Sequence, residues 1–193
     1  MIALIGDGGF AREVMAQIGY CVPRFVDKQF YKLGDPDVFP ISFFNTKRYS
    51  AVIAVGDPKA RYQVFLSMPK DTIYNNLIAQ DAKILGKVCL GMGNIICTGC
   101  ILTTDIIIGN HVHLNLSTTV GHNTTIGDFV TTAPGVHISG GCNIADFVYM
   151  GTGAVLRDHI SICKDVTIGM GAVVVKDIIE PGIYVGNPAK KIK

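Results

Sequence analysis

Five histidines, His111, His113, His122, His137 and His159, all fall in the second half of a chain of 193 residues. Imidazole titrates near neutral pH, so a histidine is the usual group to take a proton from an attacking amine or hydroxyl. His122 has unusual surroundings. Eighteen residues beyond His122 and Asn123 stand Gly140 and Gly141. If the chain repeats with that spacing, two residues without side chains lie on the next layer beside the imidazole. The expected result is a recess beside the imidazole where backbone N–H groups approach a carbonyl oxygen. His122 is therefore the expected general base. Asn123 can accept a hydrogen bond and hold an imidazole tautomer, but it brings no charge. Asp105, eighteen residues before Asn123, is the candidate for the missing carboxylate.

The spacing of eighteen rests on a shorter period. From Ile78 an aliphatic residue returns every six positions, through Ile84, Leu90, Ile96, Leu102 and onward to Val174, and only Thr132 breaks the series. A second register runs four residues later, from Ala82 and Val88 to Ile178, and only Asn94 in it is clearly too polar for an interior. Six is neither a helical period nor a hairpin spacing. It suits a short strand plus a corner, three of which close a triangular coil of parallel strands. An ordinary sandwich of alternating strands would not hold its phase over seventeen units. At ~4.8 Å per layer the prism is just under about 30 Å long. Glycine often follows the first register, as at Gly91, Gly109, Gly121 and Gly151, where its wide φ range would serve a corner. All five histidines fall outside both inward registers, so each is expected to point outward or to sit at a corner.

Residues 1–75 lack the hexad and hold five of the eight prolines. Ile2–Ile5 reads as a buried strand, Gly6-Asp7-Gly8-Gly9 as a turn and Phe10–Ile18 as a helix. Phe25 and Val26 suggest a second strand ending at Asp27. Ala51–Val55 suggests a third, followed by Gly56-Asp57-Pro58 and a helix from Lys59 to Leu66 that carries Arg61. The pattern is half of a doubly wound fold, a small Rossmann-like α/β domain. Its glycine loop would bring backbone N–H groups and a helix N-terminus to a phosphate, or serve only as a turn. One such half cannot hold a whole dinucleotide in the usual way, which argues against NAD.

A formal charge of +2 without a basic face argues against a nucleic-acid partner. No stretch approaches the roughly 20 apolar residues that span a bilayer, and no secretory signal is evident, so a cytoplasmic location without a membrane partner is expected. The six cysteines are read as reduced thiols. His111 and His113 flank inward Val112 and would face the same side, but no third ligand is evident. Cys97 and Cys100 form a lone CxxC, so no metal is expected.

The hexads of residues 78–179 resemble the hexapeptide-repeat acyltransferases, which are built on a left-handed parallel β-helix. Joined to the N-terminal half-domain, they resemble the sugar acyltransferases of that family. These include sialic-acid O-acetyltransferases and nucleotide-sugar N-acetyltransferases of the bacillosamine, perosamine and viosamine type. The resemblance implies a nucleotide-sugar-binding domain over 1–75, a β-helix over 76–180 and a capping tail over 181–193. It implies acetyl-CoA as cosubstrate and a homotrimer with active sites between subunits. Carried over by position, the nucleotide-sugar residues are Gly6, Asp7, Gly8, Gly9, Phe10, Asp27, Lys28, Gly56 and Arg61. The run from Gly121 to Asp128 matches the family's catalytic segment, except that Asn123 stands where an acid is common. Thr131 stands where relatives often place a histidine on the acetyl carbonyl. Gly140, Gly141, Thr152 and Gly153 would border the CoA arm, and Lys190 in the tail would meet its nucleotide.

An unprotonated amine demands less of its base than a hydroxyl does, so a histidine without a carboxylate partner fits an amine acceptor better. The expected substrate is a 4-amino-4,6-dideoxyhexose carried on UDP or dTDP. The alternatives are O-acetylation of a sugar such as sialic acid and a non-catalytic binding solenoid.

Overall fold

In the computed structural model, which describes every residue except Tyr20 and Leu33, the hexads form three parallel sheets around one apolar column. Each short strand pairs with the strand eighteen residues later. His113 and Leu114 pair with Thr131 and Thr132 on the first face, Thr119 and Val120 with His137 and Ile138 on the second, and Thr125 and Ile126 with Asn143 and Ile144 on the third. Both inward registers are buried through the middle of the coil. The two polar exceptions are buried as well, because each finds a partner. Asn94 Oδ1 accepts from the Val112 N–H at 2.7 Å and its Nδ2 donates to the Gly109 carbonyl at 3.0 Å. Thr132 Oγ1 lies 2.8 Å from Thr118 Oγ1.

The corners correct one expectation. Left-handed backbone does not fall at Gly109, Gly121 or Gly151. It recurs at every sixth residue from Gly93 to Gly171, and Asp105, His111, Asn123 and Phe129 are among the residues that adopt it. The earlier glycines are required by close approach instead. A Cβ on Gly121 would stand 2.5 Å from the Gly140 nitrogen, and one on Gly151 2.5 Å from that of Met170.

The N-terminal part is a four-stranded parallel sheet of β1 (Ile2–Ile5), β2 (Arg24–Val26), β3 (Val38–Pro40) and β4 (Ser50–Ile53), in the order β3-β2-β1-β4. Strand β3 has no counterpart in the sequence reading. Helix α1 (Gly9–Ile18) connects β1 to β2 and ends at Gly19 in the left-handed region. Helix α2 (Pro58–Ser67) follows β4. It starts with proline in its first turn and with the Asp57 carboxylate accepting from the Ala60 N–H. Ala11 and Val14 of α1, with Leu4 and Val52 of the sheet, run into the same core as the coil. Ala3, Ile5, Phe25, Ala51 and Ile53 form a second core on the other side of the sheet. At the far end, Gly182–Val185 pairs with Val166–Ile168, and Lys190–Lys191 folds back antiparallel upon it. Among the described residues, no helix is long and apolar enough to cross a membrane.

Candidate active site

His122 sits at the corner between the second and third faces, where the chain turns through Asn123 at φ 58°. Asparagine tolerates that left-handed conformation better than most residues. The turn places Asn123 Oδ1 2.8 Å from His122 Nδ1. An amide oxygen only accepts, so Nδ1 carries the proton and Nε2 keeps its lone pair. A Cβ on Gly140 would stand 2.7 Å from that Nε2, and one on Gly141 would strike the His159 ring. The glycine step is therefore not a vacant recess. Each glycine gives up its side-chain volume to an imidazole of a neighbouring coil. Asp105 occupies the same corner one coil below, but its carboxylate is bonded to Thr104 Oγ1 at 3.3 Å and makes no hydrogen bond with His122 or Asn123.

A second cluster lies where the sheet meets the first face. Arg61, expected in the nucleotide-sugar site, is fully buried. It donates to the carbonyls of His111 (2.9 Å), Val55 (2.7 Å), Gly56 (3.1 Å), Phe129 (3.0 Å) and Val130 (3.2 Å). Its remaining partners are Thr131 Oγ1 at 2.9 Å and His113 Nδ1 at 3.1 Å. All its donors are spent inside the protein, so Arg61 joins sheet to coil and touches no ligand. Burial lowers its pKa to about 9, against the pull of Asp57, and leaves it charged at neutral pH.

Two of the five histidines point away from the coil axis as expected, but into the N-terminal sheet and not into solvent. His113 is buried, accepts from Arg61 at Nδ1 and donates from Nε2 to the Ile53 carbonyl at 2.9 Å. Burial, then the charge of Arg61, holds its pKa well below the usual histidine range. His111 is 1% exposed, stacked 5.0 Å from the Phe129 ring and packed edge-on to Tyr74, with neither ring nitrogen hydrogen-bonded. Burial and Arg61 lower its pKa to about 4. Neither imidazole is free to share a metal ion on the surface. Among the described residues no group of three histidine, cysteine or acidic side chains gathers as a metal site.

Beside this junction a cleft of ≈ 480 Å³ opens between the sheet and the first face. It is lined by Phe10 and by Gly56 and Asp57 on one side, and by Asn115, Thr131, Tyr149 and Thr152 on the other. The first turn of α1 and the loop after β4 thus border one cleft, through Phe10 and Gly56, whereas Gly6, Asp7, Gly8 and Gly9 do not line it. Asp27 and Lys28 do not line it, and the Asp27 carboxylate accepts from the Gln29 N–H. Thr131 is only 5% exposed and donates to the Gly56 carbonyl at 2.8 Å, so its hydroxyl is already engaged. His122 is not among the lining residues, because it sits at another corner of the prism.

No family model matches the chain. It is 32% identical over 153 residues, 73% of this chain and 66% of the relative, to GDP-perosamine N-acetyltransferase of Escherichia coli O157:H7. The chain spans no more than about two thirds of the first curated relatives it matches. Among solved structures it resembles the acetyltransferase domain of PglB from Neisseria gonorrhoeae in complex with acetyl coenzyme A. That match has TM-score 0.86 and 27% identity, over 99% of this chain and 98% of that one. PerB from Caulobacter crescentus, in complex with CoA and GDP-perosamine, matches with TM-score 0.88 and 25% identity over 100% and 97%. The chain is thus similar, in sequence and in fold, to sugar N-acetyltransferases built on hexapeptide repeats.

The other expected CoA residues are dispersed. Thr152 borders the cleft, and Gly153 takes a left-handed corner next to it with open space where a Cβ would point. Lys190 lines a hollow of ≈ 310 Å³ at the end of the coil, with Lys176, Asp177 and Tyr184. The sequence reading missed the junction of Arg61, His111 and His113. One signal for it was present. His111, Phe129 and Phe147 stand eighteen apart at one corner, and bulky residues in left-handed backbone on open surface make a column that needs a cover.

Proposed function

We propose that this acyltransferase transfers an acetyl group from acetyl-CoA to the amine of a 4-amino-4,6-dideoxyhexose carried on a nucleotide. The observation that carries the reading is the His122–Asn123 contact, a base with its tautomer fixed and no carboxylate behind it. Such a base suits an amine that arrives unprotonated. Nitrogen attacks the thioester carbonyl carbon, Nε2 of His122 takes the proton that the nitrogen releases, and the tetrahedral intermediate expels the CoA thiolate, which receives that proton. Asn123 holds the imidazole tautomer, and Gly140, beside Nε2, gives the ring room. A role for Asp105 would have to be indirect, through solvent.

Residues 1–75 are read as the nucleotide-sugar-binding unit, with Phe10, just beyond the glycine loop, and Gly56 at the cleft. The His122 corner and the cleft lie on different edges of one chain. Both serve one reaction if the corner of one copy meets the cleft of the next, as in the homotrimer that the resemblance implies. UDP and dTDP are the carriers expected from the sequence, and kinship with a GDP-perosamine enzyme adds GDP.

The test is to mix the protein with acetyl-CoA and a panel of UDP-, dTDP- and GDP-linked amino sugars and follow release of free thiol. Release with an amine-bearing nucleotide sugar is expected. Release with sialic acid alone would replace the reading by O-acetylation, and none with any acceptor would favour a binding solenoid.

A further inference from the structure

The loop assigned to the nucleotide carries an acid. Asp7 stands between Gly6 and Gly8 just ahead of α1, and no side chain caps the first turn of that helix. An unpaired carboxylate there would repel a diphosphate. Asp7 is not unpaired. Arg24, at the start of β2, reaches Asp7 Oδ1 with Nη1 at 2.5 Å and Asp35 Oδ2 with Nη2 at 2.6 Å. Its side chain is only 6% exposed, whereas those of Asp7 and Asp35 are 31% and 44% exposed. The cation is thus buried behind the two acids. Among the described residues Arg24 Nε is buried without a partner, and the two carboxylates are the groups that hold the guanidinium. The other Asp35 oxygen accepts from the Asp37 N–H at 3.0 Å, which fixes that acid in its own turn. Arg12 holds the backbone of the same glycine loop, donating from Nη1 to the Asp7 carbonyl at 2.9 Å.

We propose that Arg24 is a positioning residue for the nucleotide sugar: it neutralises and holds Asp7, so that an anionic diphosphate can approach the N–H groups of the glycine loop. The proposal rests on the nucleotide-sugar reading above. Arg24 acts through Asp7 and does not itself touch the substrate.

The experiment compares Arg24→Met, Asp7→Asn and the double variant for the KM of the nucleotide sugar, with kcat and the KM of acetyl-CoA followed in parallel and thermal unfolding checking the fold. Arg24→Met should raise the KM of the nucleotide sugar about tenfold, the effect of one exposed charge on a nearby anion. The KM of acetyl-CoA should stay in place. Asp7→Asn added to Arg24→Met should recover most of the loss, because the repelling charge has gone. A bridge with a purely structural role predicts the opposite. Asp7→Asn alone would then raise KM as much as Arg24→Met, and the double variant would show no rescue, which overturns the proposal. If Arg24→Met does not fold, Arg24→Lys keeps the charge, and its KM should stay within about threefold of wild type. A tenfold rise in folded Arg24→Lys would overturn the proposal. Wild-type protein that acetylates no nucleotide sugar would sink both readings, whereas active wild type with an unchanged KM in folded Arg24→Met would sink this one alone.

Discussion

His111 and His159 occupy the same position of the hexad, and so do His113 and His137. Their environments are opposite. His111 and His113 are buried under the N-terminal sheet, while His137 is exposed and the His159 side chain is 75% exposed. The period of six gives each pair the same direction away from the coil axis. What differs is the face of the prism, which recurs only every eighteen residues, and only one face carries the sheet. Cover then decides chemistry. The buried pair is held neutral by desolvation and by Arg61, whereas the uncovered corner leaves the Nε2 lone pair of His122 free to act.

Substitutions test that contrast. Arg61→Met should be the most damaging, costing on the order of 3 kcal/mol or more in urea unfolding, because buried carbonyls lose their donors. Arg157→Met on the exposed corner should stay within about 0.5 kcal/mol. Equal effects would mean that the junction does not hold the sheet to the coil.

His122→Ala should leave unfolding unchanged and lower turnover at least ~100-fold, whereas His137→Ala should alter neither unfolding nor turnover. Near-normal turnover in His122→Ala would remove the proposed base.

Acid should loosen the junction selectively. The unfolded chain takes up protons on its histidines below about pH 6.5, while folded His111 resists until about pH 4 and folded His113 is also held well below the usual histidine range. Stability should therefore fall as pH drops through that window, by about 1.4 kcal/mol per unit for each of the two. His111→Phe should remove half of the slope, and a slope unaltered by that change would show that His111 is not held neutral.

The mildest change is Gly140→Ala. Its methyl group would press on the His122 ring, and turnover should fall about tenfold with little change in melting temperature. Full activity would mean that the ring need not rest on that glycine.

Much of the coil was legible because its causes are local. Two inward residues in six and a corner after each short strand recur within one repeat, although the left-handed residue of the corner lies two places beyond the glycines expected to supply it. Even so, the reason for the glycines at Gly121 and Gly151 was visible only once neighbouring coils were in contact. In the N-terminal part the strands before α1 and α2 were readable from apolar runs followed by glycine turns, and β3 was not, because Val38–Pro40 is short and ends in proline. The His122–Asn123 pair was legible as neighbours in sequence. Arg61 was misplaced because a charged residue on a helix next to a glycine turn reads as a ligand contact, and nothing nearby announces the carbonyls it serves.

The sequence by itself determined the triangular repeat, the outward direction of every histidine and the partner of His122, since each depends on residues within a few positions of one another. Only the tertiary structure decided which face would be covered. That choice is made by contacts such as those of Arg61 with His111, Phe129 and Thr131, across 50, 68 and 70 residues of chain. A period of six carries no information about the arrival of a separate sheet, so the same side chain becomes buried structure on one edge of the prism and a free base on another.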